Sequence, residues 1–87
     1  MTGLAEGRIV HYVLKSSDLP EDKQHNVGRV RAAIVVEAWG GGTDKVNLSV
    51  FSDFGNDGRY DGGMFWVTSV PFDDTGRPGT WHWPTRA

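Results

Sequence analysis

Two arginines and a tryptophan around one predicted strand are the residues of this sequence best suited to bind an anion. Arg29 and Arg31 fall in the same alternating set as Trp39 and Glu37. A guanidinium matches a phosphate through two parallel hydrogen bonds, and an indole ring offers a flat face to a nucleotide base. The pattern predicts a site for a nucleotide-like ligand. The alternative is an exposed strand face on which an arginine pairs with Glu37.

The segment 80–84 reads T-W-H-W-P and holds two of the four tryptophans. If this segment is extended, Trp81 and Trp83 face one side and His82 faces the other. We expect Trp81 and Trp83 to form a second wall of the ligand site, because aromatic rings stack on bases. The competing interpretation is that both indoles close the hydrophobic core, since Trp is highly buried on average.

Three aspartates recur at every fourth position in the glycine-rich segment 52–63. Asp53, Asp57 and Asp61 are oxygen ligands of the kind that calcium takes. The segment departs from a calcium-binding EF-hand loop, because Gly55 replaces an expected Asp or Asn and Met64 replaces the bidentate Glu. The pattern therefore favours a solvated turn over a metal site.

His11, His25 and His82 are the candidates for a base that titrates near neutral pH. No local spacing brings two of them together, and no Ser, His and Asp follow a nucleophile signature. The sequence has no cysteine, which excludes disulfides, thiolate metal sites and cysteine nucleophiles. We expect no catalytic residue and no cofactor, so a binding protein is favoured over an enzyme.

Length and charge narrow the class of protein further. The 87 residues predict one domain, residues 1–87, and their net charge of −2 lacks the basic stripe of a duplex nucleic-acid binder. The longest apolar run, 32–36, is far too short to cross a membrane. Residues 1–10 lack the apolar core of a secretory signal, so we expect a cytoplasmic protein with no membrane partner.

Alternation of apolar and polar residues predicts an all-β fold. A small SH3-like barrel or a curled antiparallel sheet of about five strands would accommodate the pattern, with twelve glycines in the turns. The strands are expected at 8–14, 30–39, 45–52 and 63–72, with a short fifth at 80–83.

Two of these strands carry specific expectations about their faces. The strand 30–39 is apolar on both faces at its centre, which places it in the middle of the sheet or beneath another part of the chain. In the strand 45–52 the alternation gives one buried face and one wet face. In the strand 63–72 one face is expected to collect Met64, Trp66, Thr68 and Val70.

The longest connection, 14–30, is a candidate recognition element, because long loops in small domains are often functional. Pro20 precedes the charged run E-D-K-Q, where one helical turn would fit with the proline near its start.

The order of strands is similar to that of an SH3-like barrel. The segments G-R-I-V at 7–10 and A-A-I-V-V at 32–36 also resemble the opening strands of the toxin ribonucleases that have this barrel. The resemblance is confined to two short strands, so it concerns the fold and carries no function.

Five longer segments together resemble a family of small proteins from phages and prophage-bearing bacteria. They are H-Y-V-L at 11–14, A-I-V-V at 33–36, V-N-L-S-V-F-S-D at 46–53, V-T-S-V-P-F at 67–72 and P-G-T-W-H-W-P at 78–84. The resemblance implies a phage-encoded accessory protein that acts in the host cell. It implies no activity and no site residues.

The leading hypothesis is a non-enzymatic, phage-encoded binding protein that forms a homo-oligomer and sequesters a host nucleotide signal used in antiviral defence. Pairing of small domains would supply the pocket depth that one domain lacks. The expected ligand-binding residues are Arg29, Arg31, Trp39, Trp81 and Trp83. The alternative is a protein-interaction or virion-accessory module that binds a host or phage protein through the loop 15–29. The third hypothesis is a small ribonuclease of the barrel type.

Overall fold

The computed structural model describes residues 3–60 and 62–84, and the strands in these residues form one five-stranded antiparallel sheet. Each strand lies within a segment predicted from alternation, which confirms the all-β fold. The strands are β1 (Ile9–Val13), β2 (Val30–Ala38), β3 (Val46–Phe51), β4 (Met64–Val70) and β5 (Trp81–His82). Their order across the sheet is β4-β3-β2-β1-β5.

The sheet is curled but not closed into a barrel. Its two edges meet at one point just after β4, where Phe72 forms a parallel bridge with Trp81. There the Trp81 N–H donates to the Pro71 carbonyl, and the Trp81 carbonyl accepts from the N–H of Asp73, both at 3.0 Å. Of the two predicted forms, the structure therefore has the curled antiparallel sheet.

β2 occupies the centre of the sheet, as its apolar residues on both faces predict. A β-bulge interrupts β2 between Val35 and Glu37. Before the bulge Val35 points into the core, and after it Ala38 is the side chain that packs on the core. The extra residue reverses the alternation along β2, and Trp39 follows the end of the strand at Ala38. The alternation from which Arg31 and Trp39 were expected to share a face is therefore broken between them.

A second bulge turns the end of β4. The pairing of β3 with β4 shifts between Val46 and Leu48, and Ser69 adopts a left-handed φ of 53°. The side-chain oxygen of Asn47 holds this turn, because it accepts hydrogen bonds from the Thr68 hydroxyl and the Ser69 N–H, both at 2.9 Å.

The bulge changes which β4 residues share a face. Met64, Trp66 and Thr68 are exposed, whereas Val70 is turned into the core. The prediction that Val70 joins the other three is therefore wrong, since one inserted residue shifts every later side chain to the other face.

The core lies on the concave face of the curled sheet and is closed by the largest side chain in it, Trp81. The Trp81 ring meets Phe72 and Trp83 edge-on, with centroids 5.0 Å and 5.2 Å away, and its Nε1 donates to the Asp44 carbonyl at 2.9 Å. The buried apolar residues of the core are Val10, Tyr12, Leu14, Leu19, Ala33, Val35, Val46, Leu48, Val50, Val67, Val70 and Trp81.

Two connections fold into short 3₁₀ helices and pack against each other. The connection between β1 and β2 contains η1 (Ser16–Asp18) and η2 (Glu21–Asn26), and Pro20 precedes η2 as predicted. The connection between β3 and β4 contains η3 (Phe54–Asp57), which ends at Gly58 with a left-handed φ of 68°. A Cβ on Gly58 would overlap the Pro20 ring, so glycine allows the two connections to touch.

Candidate functional site

The candidate site is built around the carboxylate of Asp57, whose side chain is completely buried where η2, η3 and β2 meet. Arg31 binds this carboxylate through two parallel hydrogen bonds, from Nε to Oδ2 and from Nη2 to Oδ1, both at 2.8 Å. The Asn26 side chain donates to Oδ1 at 2.9 Å, and the backbone N–H of Asp53 donates to Oδ2 at 2.7 Å. Four donors therefore surround a single buried carboxylate, which satisfies it fully.

These contacts keep Asp57 ionised. Together these contacts lower the pKa of Asp57 to about 2, against the opposing effect of burial. The hydrogen bond from Arg31 is the largest cause, and the bonds from Asp53 and Asn26 act in the same direction. The same bond raises the pKa of Arg31. Arg31 and Asp57 are thus a permanent ion pair at neutral pH, and the guanidinium is held in one orientation.

Arg31 keeps hydrogen-bonding capacity after this pairing. Its Nη1 donates to the Val30 carbonyl at 3.0 Å, so hydrogen bonds to the described residues use three of the five guanidinium N–H groups and leave two without a partner among those residues. An arginine fixed on its inner side and free on its outer side is a preorganised donor for an anion.

A polar pocket opens beside Arg31, with a volume of about 300 Å³. Its lining comes from the β1–β2 connection, from the start of β2 and from the segment before and within η3. The lining residues are Lys23, His25, Asn26, Arg29, Arg31, Asp53 and Asn56.

Positive charge dominates this pocket. Within residues 3–60 and 62–84 the ion pairs are Arg31–Asp57 and Arg77–Asp73, so Lys23 and Arg29 have no acidic partner there. The acidic group in the lining is Asp53, whose Oδ2 accepts from the Asn56 side chain at 2.9 Å. Two unpaired cations beside a fixed guanidinium can hold a phosphate or another compact anion.

The structure brings two of the five predicted ligand residues together and separates the other three. Arg29 and Arg31 line the pocket. Trp39 is exposed beyond the far end of β2, whereas Trp81 is fully buried in the core and offers no surface to a ligand. Trp83 is half-buried against Trp81, and its ring stacks with the guanidinium of Arg8 at 5.5 Å. The described lining of the pocket contains no indole that could stack on a base.

Two of the three aspartates of segment 52–63 form hydrogen bonds with other side chains. Asp57 binds Arg31, and Asp53 binds Asn56. Asp61 lies outside the described residues. In the part of the chain that is described, no group of three His, Asp or Glu side chains is arranged to hold a metal ion.

Two histidines meet although they are far apart in the sequence. His11 of β1 and His82 of β5 are register partners, and their rings contact edge-on with centroids 5.6 Å apart. Burial, and then the charge of His11, lower the pKa of His82, while Asp74 raises it. The Nδ1 of His82 is buried and has no hydrogen-bond partner within residues 3–60 and 62–84. His25, by contrast, lies in the lining of the polar pocket.

Sequence reasoning missed Lys23, Asn26 and Asn56 as pocket residues, and Asp57 as the anchor of Arg31. The sequence does not reveal the role of Asn26, because that role depends on η3, which lies 30 residues further along the chain. The available signal was the polar composition of both long connections, which marks them as loops but does not predict that they touch.

Comparisons with protein-family models, with curated proteins and with solved structures found no match to this chain. Among the described residues, no helix has the length and the apolar character that a membrane crossing requires. The class of protein that the structure defines is an all-β domain on one open, curled sheet, with a cationic pocket where two of its connections pack together.

Proposed function

We propose that this protein binds a small phosphate-bearing ligand, of the nucleotide class, in the pocket beside Arg31. The observation that carries the proposal is the convergence of four basic side chains, Lys23, His25, Arg29 and Arg31, on one pocket of a protein whose net charge is −2. A local excess of positive charge on an acidic protein is an arrangement that attracts a compact anion while leaving long nucleic acids unfavoured.

The basic side chains of the pocket are held differently, and each therefore contributes differently to binding. Arg31 is anchored by Asp57 and offers its two remaining N–H groups from a fixed position, which lowers the entropy lost on binding. Arg29 is exposed and Lys23 is half-buried, so both can adjust to the ligand. We assign the phosphate groups to this pocket and leave the base of a nucleotide outside it, because no Phe, Tyr or Trp lines its described part.

The proposal assigns binding and no chemistry. Asp57 is a poor general base, because four hydrogen-bond donors hold its pKa at about 2. The pair His11–His82 lies on β1 and β5 and is not part of the pocket lining. A ligand held by these groups would be retained intact.

The resemblance of five segments to phage proteins supports a more specific version of the proposal. In that version the protein is phage-encoded, acts in the cytoplasm of the host and removes a nucleotide signal of antiviral defence from solution. Retention of an intact ligand is what such a role needs, since sequestration lowers the free concentration of a signal in proportion to the sites available.

Native mass spectrometry with a panel of cyclic and linear nucleotides, followed by calorimetry with the ligand that binds, tests the proposal. We expect Arg29→Ala and Lys23→Ala each to weaken binding by about 10-fold or more, because each removes a charge-assisted hydrogen bond. Arg77→Ala is the matched control, since Arg77 pairs with Asp73 outside the pocket.

The effect of salt separates electrostatic recognition from other binding. Affinity should fall as the ionic strength rises, and the fall should be smaller in Arg29→Ala than in the parent protein. Unchanged affinity in both pocket variants would overturn the site. An altered ligand mass in place of an intact adduct would overturn the non-enzymatic assignment.

A further inference from the structure

The convex face of the sheet, opposite the core, is covered by apolar side chains. One row of cross-strand neighbours runs over four strands, from Ile9 through Ile34 and Ser49 to Trp66. Phe51 and Met64 form a second pair beside this row. Because side chains alternate along each strand, all these positions face away from the core residues Ala33, Val35, Leu48 and Val50.

This outer sheet face leaves six large apolar side chains 40% to 60% exposed. They are Ile9, Val30, Val36, Phe51, Met64 and Trp66. Scattered apolar residues on a surface need no explanation, but a contiguous patch of this extent on a small protein marks an interaction site.

Charge is nearly excluded from the outer sheet face. The chain has nine Lys and Arg and eleven Asp and Glu. Among the outward positions of β1 to β4, the acidic side chain is Glu37, which sits at the β2 bulge at one end of the face, and the titratable ring is His11, the register partner of Ala32. Depletion of charge at the centre of a patch is the compositional mark of a protein interface.

The size of the outer sheet face is close to the lower limit for an interface between small proteins. It spans about 14 Å from β1 to β4 and about 20 Å along β2, from the spacings of strands and residues. With side chains at its rim the footprint is about 500 Å², and the accessible area of such a corrugated surface is larger. A stable interface needs about 600 to 800 Å² from each partner. The required interface area is a small fraction of the 5155 Å² accessible surface of the chain.

We propose that the outer sheet face is the interface between two copies of this chain, related by a twofold axis near the row from Ile34 to Trp66. A second copy suits this face because an uncharged apolar surface is complementary to itself and meets no like-charge repulsion. The absence of a charge pattern on the face gives a charged partner little to recognise. Two such sheets would pack about 10 Å apart, as in β-sandwiches.

The pairing is independent of the cationic pocket but compatible with it. Arg31 is on the concave side of β2, in register with the buried Tyr12, so the pocket and the outer sheet face lie on opposite sides of the sheet. A dimer formed this way would carry two open pockets.

Sedimentation velocity and light scattering on the full chain test the interface. We expect a species of twice the 9.6 kDa chain mass. Trp66→Lys should raise the dissociation constant of the dimer at least about 100-fold, because it buries an unpaired charge in the interface. Tyr60→Lys is the matched control, since it also replaces an exposed aromatic ring by lysine but lies in the β3–β4 connection. This control should remain dimeric.

Circular dichroism should show that Trp66→Lys keeps the fold, since the Trp66 side chain is exposed. Ile34→Lys, on β2 in the same row, provides a second disrupting variant. A parent protein that stays monomeric at its highest soluble concentration would overturn the proposal. So would a dimer that survives both Trp66→Lys and Ile34→Lys, and so would a complex with a different macromolecule formed through this face by a monomer.

Discussion

The guanidinium of Arg31 and the carboxylate of Asp57 form a bidentate ion pair, with both hydrogen bonds at 2.8 Å, that joins the central strand to the β3–β4 connection. The two residues are 26 positions apart. Through Asn26, which binds the same carboxylate, the β1–β2 connection is tied to the same point. One buried carboxylate therefore holds together all three segments that line the cationic pocket.

Removal of one partner of this ion pair should destabilise the fold. In Arg31→Met the buried Asp57 carboxylate loses its cation, and we expect the free energy of unfolding to fall by about 2–4 kcal/mol. Urea denaturation followed by circular dichroism measures the change. Arg77→Met is the control, because the Arg77–Asp73 pair is screened by solvent and should contribute much less. Equal losses in both variants would contradict a special role for Asp57.

Stability should decline in acid as Asp57 is protonated. The pKa of Asp57 is about 2 in the folded protein and 3.8 is its ordinary value. The folded pKa is the lower one, so the contribution of the ionised form is fully present above pH 3.8 and is lost as the pH falls from 3.8 towards 2. Chemical denaturation across this window, compared between the parent protein and Asp57→Asn, isolates the contribution. An identical pH dependence in the two proteins would argue against it.

The contact between His11 and His82 should be visible as a shifted titration. Burial, and then the charge of His11, hold the pKa of His82 below its ordinary 6.5. The neutral form of His82 is thus favoured by folding, and its stabilising contribution is fully present above pH 6.5 and is lost as the pH falls below that value. In an NMR titration, His11→Gln should raise the pKa of His82, whereas His25→Gln, in the pocket, should leave it unchanged. A response to both or to neither would contradict the pairing.

Gly58 should be the least replaceable of the turn glycines. It combines a left-handed φ with direct contact between the β3–β4 connection and Pro20. Gly58→Ala therefore adds a steric overlap to a conformational cost, and we expect a loss of stability clearly above the roughly 1 kcal/mol of the conformational cost alone. Gly76→Ala is the control, since Gly76 also has a positive φ but an open surrounding. Comparison of the two melting temperatures measures the contact, and equal shifts would disprove it.

The strands and their centre were predictable because they depend on local alternation. The run from Val30 to Ala38 is apolar on both faces, and a strand of this kind is stable only with neighbours on both sides. The helical turn after Pro20 was predictable for a similar reason, since proline has the backbone angle and the missing N–H that suit a helix start. Arg29 and Arg31 line the same pocket, and their separation of two residues on one segment is enough to bring them together.

The faces of two strands were not predictable from the same alternation. The bulges before Glu37 and at Ser69 each insert one residue, and nothing in the local pattern marks them. At Ser69 the side-chain oxygen of Asn47 accepts from the Ser69 N–H and stabilises the shifted pairing, and only the position of the neighbouring strand shows this contact. The consequence is that the alternation linking Trp39 to Arg31 is broken and that Val70 joins the core.

The sequence by itself thus determined an all-β domain, its strands and two of the basic residues in its pocket, because each follows from neighbours along the chain. The tertiary structure decided the rest. It set Asp57 beneath Arg31, brought His11 to His82 and buried Trp81 while exposing Trp66. These outcomes depend on which distant strands pair and how the sheet curls, and that is settled by the burial of the whole core and by the need to satisfy every buried polar group.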